Sequence, residues 1–315
     1  MLRYLATRLL RWIVAISIIL FVTYAMMYYG VGDPILRMYM SSGDSMMWNN
    51  QEMLDALREK YGLDKPFPEQ FWNYIKGLFR GDWGRSMDGY RPVFEIVQAR
   101  LPISMQLGLA ATVVVTLVGI PLGVLSALKH NSLADNVIIG SVAFVNAVPQ
   151  FVTAPLLMLF FVLVLEIMDV PYGWKGLFHP QVILPVAVMA MGGIQTVMRQ
   201  TRSGMLNVMQ SNYIRTARAK GLPERVIIFV HMLRPVLIPV VTSIGLMMIT
   251  LINGAIYVET IFNIPGFGQL TVSGLNRADY AVIMATVLVG TVIILISNLM
   301  VDLIYPLLDP RITQE

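Results

Sequence analysis

The sequence predicts an all-α polytopic membrane protein with six transmembrane helices. Its 315 residues are 56% hydrophobic and only 13% charged, whereas soluble domains carry about 25% charged residues. Six stretches of at least 21 residues contain no charged side chain, and a helix needs about 20 apolar residues to cross the ~30 Å hydrocarbon core. A soluble helical bundle would instead show polar faces at the helical period, which these stretches lack.

Each uncharged stretch is predicted to be one membrane-spanning helix, because a single charge at mid-helix costs about 2.5–3.5 kcal/mol on insertion scales. The six stretches are Trp12–Gly32, Leu101–Leu128, Asn136–Leu165, Gly176–Met198, Pro235–Val258 and Tyr280–Val301. The third would be about 45 Å long as one helix. We therefore expect it to tilt, project or kink, with Pro149 and Pro155 as the candidate kinks.

The distribution of charge predicts the orientation. The N-terminal segment carries Arg3, Arg8 and Arg11 and no acid, which places it in the cytoplasm by the positive-inside rule. A cleaved signal peptide is the alternative, but no small-residue cleavage site follows, which favours a retained first helix. Six crossings then place the C-terminus in the cytoplasm too.

This topology divides the chain into residues 1–32, an extracytoplasmic insert at 33–100, and a five-helix core at 101–315. In the insert, Gln51–Tyr61 is predicted as an amphipathic helix ending at Gly62, and a second helix would carry an aromatic face around Phe71 and Phe79. Residues 81–86 are expected to form a turn. The insert is interpreted as a small folded cap or as a dock for an external binding protein, and the two interpretations are compatible.

The segment Arg199–Pro235 is the longest polar break in the C-terminal two thirds of the chain, with seven basic residues and Glu224 as its one acid. Ser211 or Asn212 could cap a short helix over residues 213–220. Gly221 would end that helix in the left-handed conformation, and residues 223–224 suit the first turn of the next one. The pattern predicts a short helix at the membrane surface.

The segment Tyr213–Leu222, YIRTARAKGL, resembles the cytoplasmic "EAA" loop of ABC-transporter permease subunits, in its dipeptide/oligopeptide version. Aligned on Gly221, the Glu-Ala-Ala of the general family pattern falls on residues 215–217. Only Ala217 keeps that pattern, because Arg215 stands in place of the glutamate. Further resemblance lies in residues 61–66, 77–86, 259–268 and 301–312.

In that family the loop forms a coupling helix that docks into a cleft of the ATPase subunit. The resemblance implies that role for Tyr213, Ile214, Arg215, Thr216, Ala217, Arg218, Ala219, Lys220, Gly221 and Leu222. The side chains suit it, since small residues permit close approach, the tyrosine and isoleucine could bury apolar area, and the basic residues could pair with acids or anionic lipid head groups. The alternative is a surface anchor that only fixes topology.

Four uncharged polar residues inside the predicted spans are candidates for a translocation path: Asn146, Gln150, Gln195 and Asn253. Polar groups in membrane helices usually face the bundle interior. They contact substrate or hydrogen-bond neighbouring helices, and both alternatives stay open. Gly119 and Gly123 form a GxxxG pattern, for which we expect close helix packing, with a hinge at Pro121 as the alternative.

Several functions lack their residues in this chain. There is no cysteine, no GxxxxGK[ST] loop and no short histidine cluster, so we expect no thiol chemistry, no ATP site and no metal site of the chain's own. The net charge of +4 follows the predicted topology and does not call for nucleic acid.

The resemblance implies a permease subunit of an ABC importer for dipeptides or oligopeptides in a prokaryotic inner membrane. Its partners would be a second homologous permease, two ATPase subunits that bind ATP and magnesium, an extracytoplasmic substrate-binding protein, and membrane lipid. Relatives that carry nickel or oligosaccharides leave the substrate open. An ion-driven secondary transporter would need ionisable residues near the midplane, and a membrane sensor or assembly protein would need a cytoplasmic signalling domain.

Overall fold

The structure is a computed structural model that describes residues 2–36, 51–87 and 89–308; for residues 2–6, 31, 248–254 and 300–308 it describes the backbone alone. The described chain is helical, with one isolated antiparallel bridge between Arg85 and Pro92. Its helices are α1 (Leu2–Met26), α2 (Gln51–Tyr61), α3 (Phe67–Phe79), α4 (Val93–Leu128), α5 (Leu133–Ala147), α6 (Gln150–Met158), α7 (Ile183–Met209), α8 (Asn212–Ala219), α9 (Leu233–Gly254), α10 (Ile256–Ile261), α11 (Phe267–Arg277) and α12 (Tyr280–Leu308).

Five helical segments within the described residues are long and apolar enough to cross a membrane. They are Thr7–Gly30, Val93–Leu128, Pro180–Met209, Glu224–Met247 and Tyr280–Leu299. Three of these segments include π-helical or 3-10 turns next to their α-helix. π-helical Met27–Val31 follows α1, and the 3-10 turn Pro180–Val182 precedes α7. The short helix Glu224–Val226 and π-helical Ile227–Met232 precede α9. The prediction of a polytopic all-α protein is confirmed.

The third predicted span is not one continuous helix. α5 and the segment formed by α6 with π-helical Leu159–Val164 meet at 98°. Val148 is extended and precedes Pro149, and a residue before proline is disfavoured in the helical conformation because it clashes with the ring. The expected kink at Pro149 is confirmed, and the described residues hold five candidate spans, or six if the bent pair counts as one.

Several helices extend beyond the stretches predicted from their lack of charge, α4 and α7 among them. α4 begins at Val93 instead of Leu101, and α7 continues to Met209 past the expected end at Met198. The length of a charge-free stretch reflects the part of a helix that lies in the hydrocarbon core. The helix itself continues into polar surroundings until a helix-breaking residue ends it. The first part of the polar segment 199–235 is therefore helix.

The described chain divides into two compact units. The first comprises residues up to 103 together with 265–295, and the second comprises 104–264 with residues from 296 onward. α4 and α12 each begin in the first unit and end in the second.

In the first unit, the insert packs on α1. α2 ends as predicted, with Gly62 at φ +67°. The aromatic face of α3 covers α1, where Phe71 meets the Tyr24 ring edge-on with centroids 5.7 Å apart. Buried Gln70 accepts a hydrogen bond from the Tyr24 hydroxyl at 3.0 Å. This packing agrees with the folded-cap interpretation.

A second attachment of the insert is made by Asp279, just before α12. Its carboxylate accepts hydrogen bonds from Ser86 Oγ at 2.6 Å and from the Met87 amide at 2.8 Å. It also accepts from the Val282 amide at 3.2 Å, which caps α12. The segment between α3 and α4 is thereby fixed to the start of the last helix.

α11 is not among the predicted helices, because it lies outside the six charge-free stretches. Residues 262–266 do turn, but the chain on either side is helical. The helix is short and amphipathic and packs Phe267 and Leu270 against Val93 and Val97. A search for long apolar stretches does not detect such a helix.

In the second unit, α7 lies against both α4 and α9 at positions without side chains. A Cβ atom at Gly123 would come within 2.6 Å of Thr201 Cβ, and one at Gly119 within 2.9 Å of Val197 Cγ1. On the other side, a Cβ at Gly204 would be 2.8 Å from Val236 Cγ1 of α9. The predicted close packing through the GxxxG pattern is confirmed.

Candidate functional site

The surface helix α8 forms where it was predicted, within one residue at each end. Ser211 takes the extended conformation of an N-cap, but its side chain makes no capping bond. Its hydroxyl instead donates to the Val208 carbonyl of α7 at 2.6 Å. Of the two predicted caps, Ser211 is therefore the one in the N-cap position, but it makes no capping bond because its hydroxyl is bonded to the Val208 carbonyl.

The C-terminal end of α8 follows the prediction. Gly221 has φ +74°, a conformation that glycine adopts without strain. Its amide donates to the Arg218 carbonyl at 2.9 Å, and the Leu222 amide donates to the Ala217 carbonyl at 3.3 Å. Pro223 then precedes the turn that begins at Glu224. The glycine reverses the chain so that the next segment can pack on α8.

Two of the ten predicted docking residues face their own chain. Ile214 and Ala217 are buried, and α8 packs on π-helical Ile227–Met232. From the sequence we expected Ile214 to supply apolar area to a partner and Ala217 to permit its close approach. In the structure both side chains are instead buried against their own chain. They hold the helix to its support, as an apolar stripe on a surface helix does. The exposed residues are Tyr213, Arg215, Thr216, Arg218, Ala219, Lys220, Gly221 and Leu222.

The charges on α8 are partly neutralised within the chain. Arg218 Nη2 lies 2.7 Å from Glu224 Oε1, and this hydrogen bond raises the pKa of the guanidinium further above its usual value. Arg215 and Lys220 have no ion-pair partner among the described residues. The surface that α8 presents is therefore basic, with the Tyr213 ring and the Leu222 side chain exposed beside it.

A buried charge pair that the sequence analysis did not find lies in the same unit as α8. Asp135, at the start of α5, is buried. Its Oδ1 accepts from Arg202 Nε at 2.9 Å and its Oδ2 from Arg202 Nη2 at 2.7 Å. Ser126 Oγ of α4 also donates to Oδ1, and the Asn131 amide donates to Oδ2 at 3.0 Å. Two parallel bonds to one carboxylate are the strongest geometry arginine makes.

A local signal for this site existed in the sequence. Ser132 and Asp135 have the spacing of a capping box before an apolar run, and Ser132 Oγ does accept from the Asp135 amide at 3.3 Å. His130 completes the group, with Nδ1 3.0 Å from Arg202 Nη2 and 3.4 Å from Asp135 Oδ2. The partner arginine, 67 residues away, had no such signal.

Three of the four candidate path residues share one region of the second unit. Asn146 lies in the last turn of α5 and Gln150 opens α6. Both side chains reach toward Gly192 of α7, where a Cβ would be 3.9 Å from Asn146 Oδ1 and 3.8 Å from Gln150 Nε2. Gln195 lies three residues further along α7, on the same helix face. Asn146 Nδ2 donates to the Met191 carbonyl at 3.5 Å. The Asn253 side chain lies outside the described residues.

Two family models match the chain. The model described as "Binding-protein-dependent transport system inner membrane component" covers residues 119–314, and that for the N-terminal part of the membrane component covers residues 1–108. The chain belongs to this family. It is accordingly a multi-pass protein of the inner membrane and a permease subunit of ABC-importer type, and the resemblance found in residues 213–222 is confirmed.

Relatives match over the full length. The chain is 36% identical over 315 residues to the oligopeptide transport system permease protein OppB of Salmonella typhimurium, covering 99% of both chains. It is also 36% identical over 321 residues to the dipeptide transport system permease protein DppB of Escherichia coli, covering 93% of each. These similarities favour the permease over the secondary-transporter and sensor alternatives.

A solved structure shares the fold. An inward-facing structure of the MetNI methionine ABC transporter aligns with a TM-score of 0.56 at 17% identity, covering 68% of this chain and 97% of that one. The ABC-permease fold expected from the sequence is confirmed by this match.

Proposed function

We propose that this chain forms half of the translocation path of an ABC importer for dipeptides or oligopeptides. The observation that carries the proposal is the full-length similarity to two permeases named for peptide transport. Because the match covers nearly all of both chains, it includes the insert as well as the core. The chain supplies the path, and the energy comes from separate subunits that bind ATP and magnesium.

The proposed assembly contains a second homologous permease, two ATPase subunits and an extracytoplasmic substrate-binding protein. Both termini and α8 would lie in the cytoplasm, with the insert at residues 33–100 on the other side, next to the binding protein. The basic residues at the N-terminus and around α8 support this orientation. Anionic lipid head groups would contact the same basic surface.

The exposed face of α8 is the proposed docking surface for an ATPase subunit. Arg215 and Lys220 supply two positive charges without partners in the described chain, and Tyr213 and Leu222 supply exposed apolar area. A matching cleft would combine acidic side chains with an apolar floor. Thr216, Arg218, Ala219 and Gly221 complete the surface, while Ile214 and Ala217 support it from beneath.

The amides near the break between α5 and α6 are the proposed contacts for cargo. Asn146, Gln150 and Gln195 carry donors and acceptors but no charge, so they can hydrogen-bond a peptide backbone without selecting a charged side chain. Weak, uncharged contacts also let the cargo leave, which transport requires. Asn253 remains a fourth candidate on sequence grounds.

The test is ATP hydrolysis by the reconstituted complex, with and without binding protein loaded with peptide. Arg215→Glu reverses a charge on the docking surface, and Arg225→Glu makes the same change at an exposed position outside it. We expect Arg215→Glu to lower peptide-stimulated hydrolysis about tenfold or more, because like charges oppose each other at the interface, and Arg225→Glu to leave it near normal. The proposal fails if the intact chain does not co-purify with an ATPase, or if the two variants behave alike.

A further inference from the structure

The carboxylate of buried Asp135 accepts four hydrogen bonds, two of them from Arg202. We propose that this pair is the link through which movement of α8 reaches the helical hairpin formed by α4 and α5. The two residues act as positioning residues and do not touch cargo or ATP. The inference rests on the proposed function, in which α8 receives its movement from an ATPase subunit.

The carboxylate joins three helices at one point. It accepts from Ser126 at the end of α4 and from the backbone of the α4–α5 connection at Asn131, while Asp135 itself lies in the first turn of α5. Arg202 reaches it from α7 with two parallel bonds. Separating α7 from the hairpin would leave a buried carboxylate without its countercharge, which is strongly unfavourable. The three helix ends therefore move together.

The segment between Arg202 and α8 is short, and hydrogen bonds hold its end to α7. Arg202 stands seven residues before the end of α7 at Met209, about 10 Å along the axis. Gln210 and Ser211 alone separate α7 from α8, and the Ser211 amide and hydroxyl both donate to the Val208 carbonyl. A displacement of α8 is therefore carried into the last turns of α7, where the arginine sits.

The close-packed glycine contacts of α7 lack this directional character. Thr201 packs on Gly123 of α4, and Gly204 packs on Val236 of α9. Apolar contacts are not directional, so helices joined by them alone can slide. The bidentate pair adds a fixed register between α7 and the hairpin, and lysine could not reproduce it because it lacks the planar two-donor fork.

The test uses the full complex with ATPase, partner permease and binding protein in lipid. Asp135→Asn combined with Arg202→Met removes both charges, so that no charge stays buried alone and the protein assembles. For equal amounts of assembled complex, we expect basal hydrolysis to be unchanged and its stimulation by peptide-loaded binding protein to fall about tenfold. Arg202→Lys should fall between this variant and the intact chain.

The outcomes separate the link from the proposed function. If intact complex shows no stimulation, the importer assignment fails, and the link falls with it. If intact complex is stimulated and the double variant is stimulated to the same extent, the link is refuted while the importer assignment stands. A variant complex that loses basal hydrolysis in proportion to stimulation would also refute the link, since that result indicates general damage.

A distance measurement tests the movement itself. The chain contains no cysteine, so in the full complex cysteines introduced at exposed Asn136 of α5 and at exposed Asn212 of α8, outside the docking surface, would carry the chain's two spin labels. In the intact protein we expect the same label distance with and without ATP, because both helices move as one body. In the double variant the distance should change on ATP addition. A change of equal size in the intact protein would overturn the proposal.

Discussion

Two arginine–carboxylate pairs in the second unit have the same closest distance and different surroundings. Arg218 and Glu224 meet at 2.7 Å with 46% and 54% of their side chains exposed. Arg202 and Asp135 also meet at 2.7 Å, with 21% and 1% exposed. Water competes with the first pair and is excluded from the Asp135 carboxylate of the second, so pairs with equal bond lengths should lose very different amounts of stability when one partner is removed.

The comparison separates two uses of charge in one fold. The exposed pair sits on the surface that we propose an ATPase contacts, where charges must stay available for exchange with a partner. The buried pair sits inside the helix packing, where a charge is tolerated only because its partner is held in place. Each of the following substitutions tests one side of that contrast, from the largest expected effect to the smallest.

Asp135→Ala should have the largest effect. It leaves the guanidinium of Arg202 partly buried without its partner, which costs about 3–5 kcal/mol of unfolding free energy. Chemical or thermal unfolding of the purified chain in detergent micelles measures the loss. The matched exposed change is Glu224→Ala, and the contrast fails if the two variants lose similar stability.

Arg202→Lys should cost less, about 1–3 kcal/mol, because the charge stays and one of two parallel hydrogen bonds is lost. The same unfolding measurement applies. Arg218→Lys is the control in the exposed pair, where a flexible ammonium can replace the guanidinium. Equal stability of Arg202→Lys and intact protein would show that the bidentate geometry is unimportant.

Gly221→Ala tests the left-handed backbone conformation of Gly221, which lies in the sequence between Arg218 and Glu224 of the exposed pair. A residue other than glycine at φ +74° costs about 1 kcal/mol of strain. We expect faster proteolysis in residues 210–223, since the end of α8 would loosen. Ala219→Gly, which lowers helix propensity by a similar amount without strain, controls for general weakening of the helix. Proteolysis unchanged from the intact chain would contradict this role for Gly221.

Glu224→Gln should have the smallest effect, about 0–1 kcal/mol, because the pair it breaks is exposed to water. A double-mutant cycle with Arg218→Gln should give a coupling energy near zero at high salt, where exposed charges are screened. A coupling energy that persists in high salt would show that the exposed pair is energetically like the buried one.

Much of the fold was predictable from local patterns. Lack of charge identified five spans, and Gly62 and Gly221 ended helices at the predicted positions, because a left-handed glycine is a local requirement of the backbone. The break at Pro149 was expected for a similar reason. Amphipathic α11 was missed, since its apolar residues follow from what it packs against and do not form a long run.

Burial of individual side chains was not predictable. Ile214 and Ala217 belong to the segment that identified the family, yet they face their own chain, while Tyr213 beside them is exposed. The motif specifies a helix at this position, but which of its faces meets a partner depends on where the following π-helical segment packs. The docking role of the exposed residues and the cargo role of the amides stay predictions.

The sequence by itself determined the class of the protein, the approximate spans and the surface helix, because charge-free length, capping and glycine conformation act over a few residues. Only the tertiary structure decided the size of the angle between α5 and α6, which face of α8 is buried, and the pairing of Asp135 with Arg202. These depend on which distant segments meet, since a contact across 67 residues leaves no periodicity in the chain. An acid at the start of an apolar run needs its partner only once packing has removed the water around it.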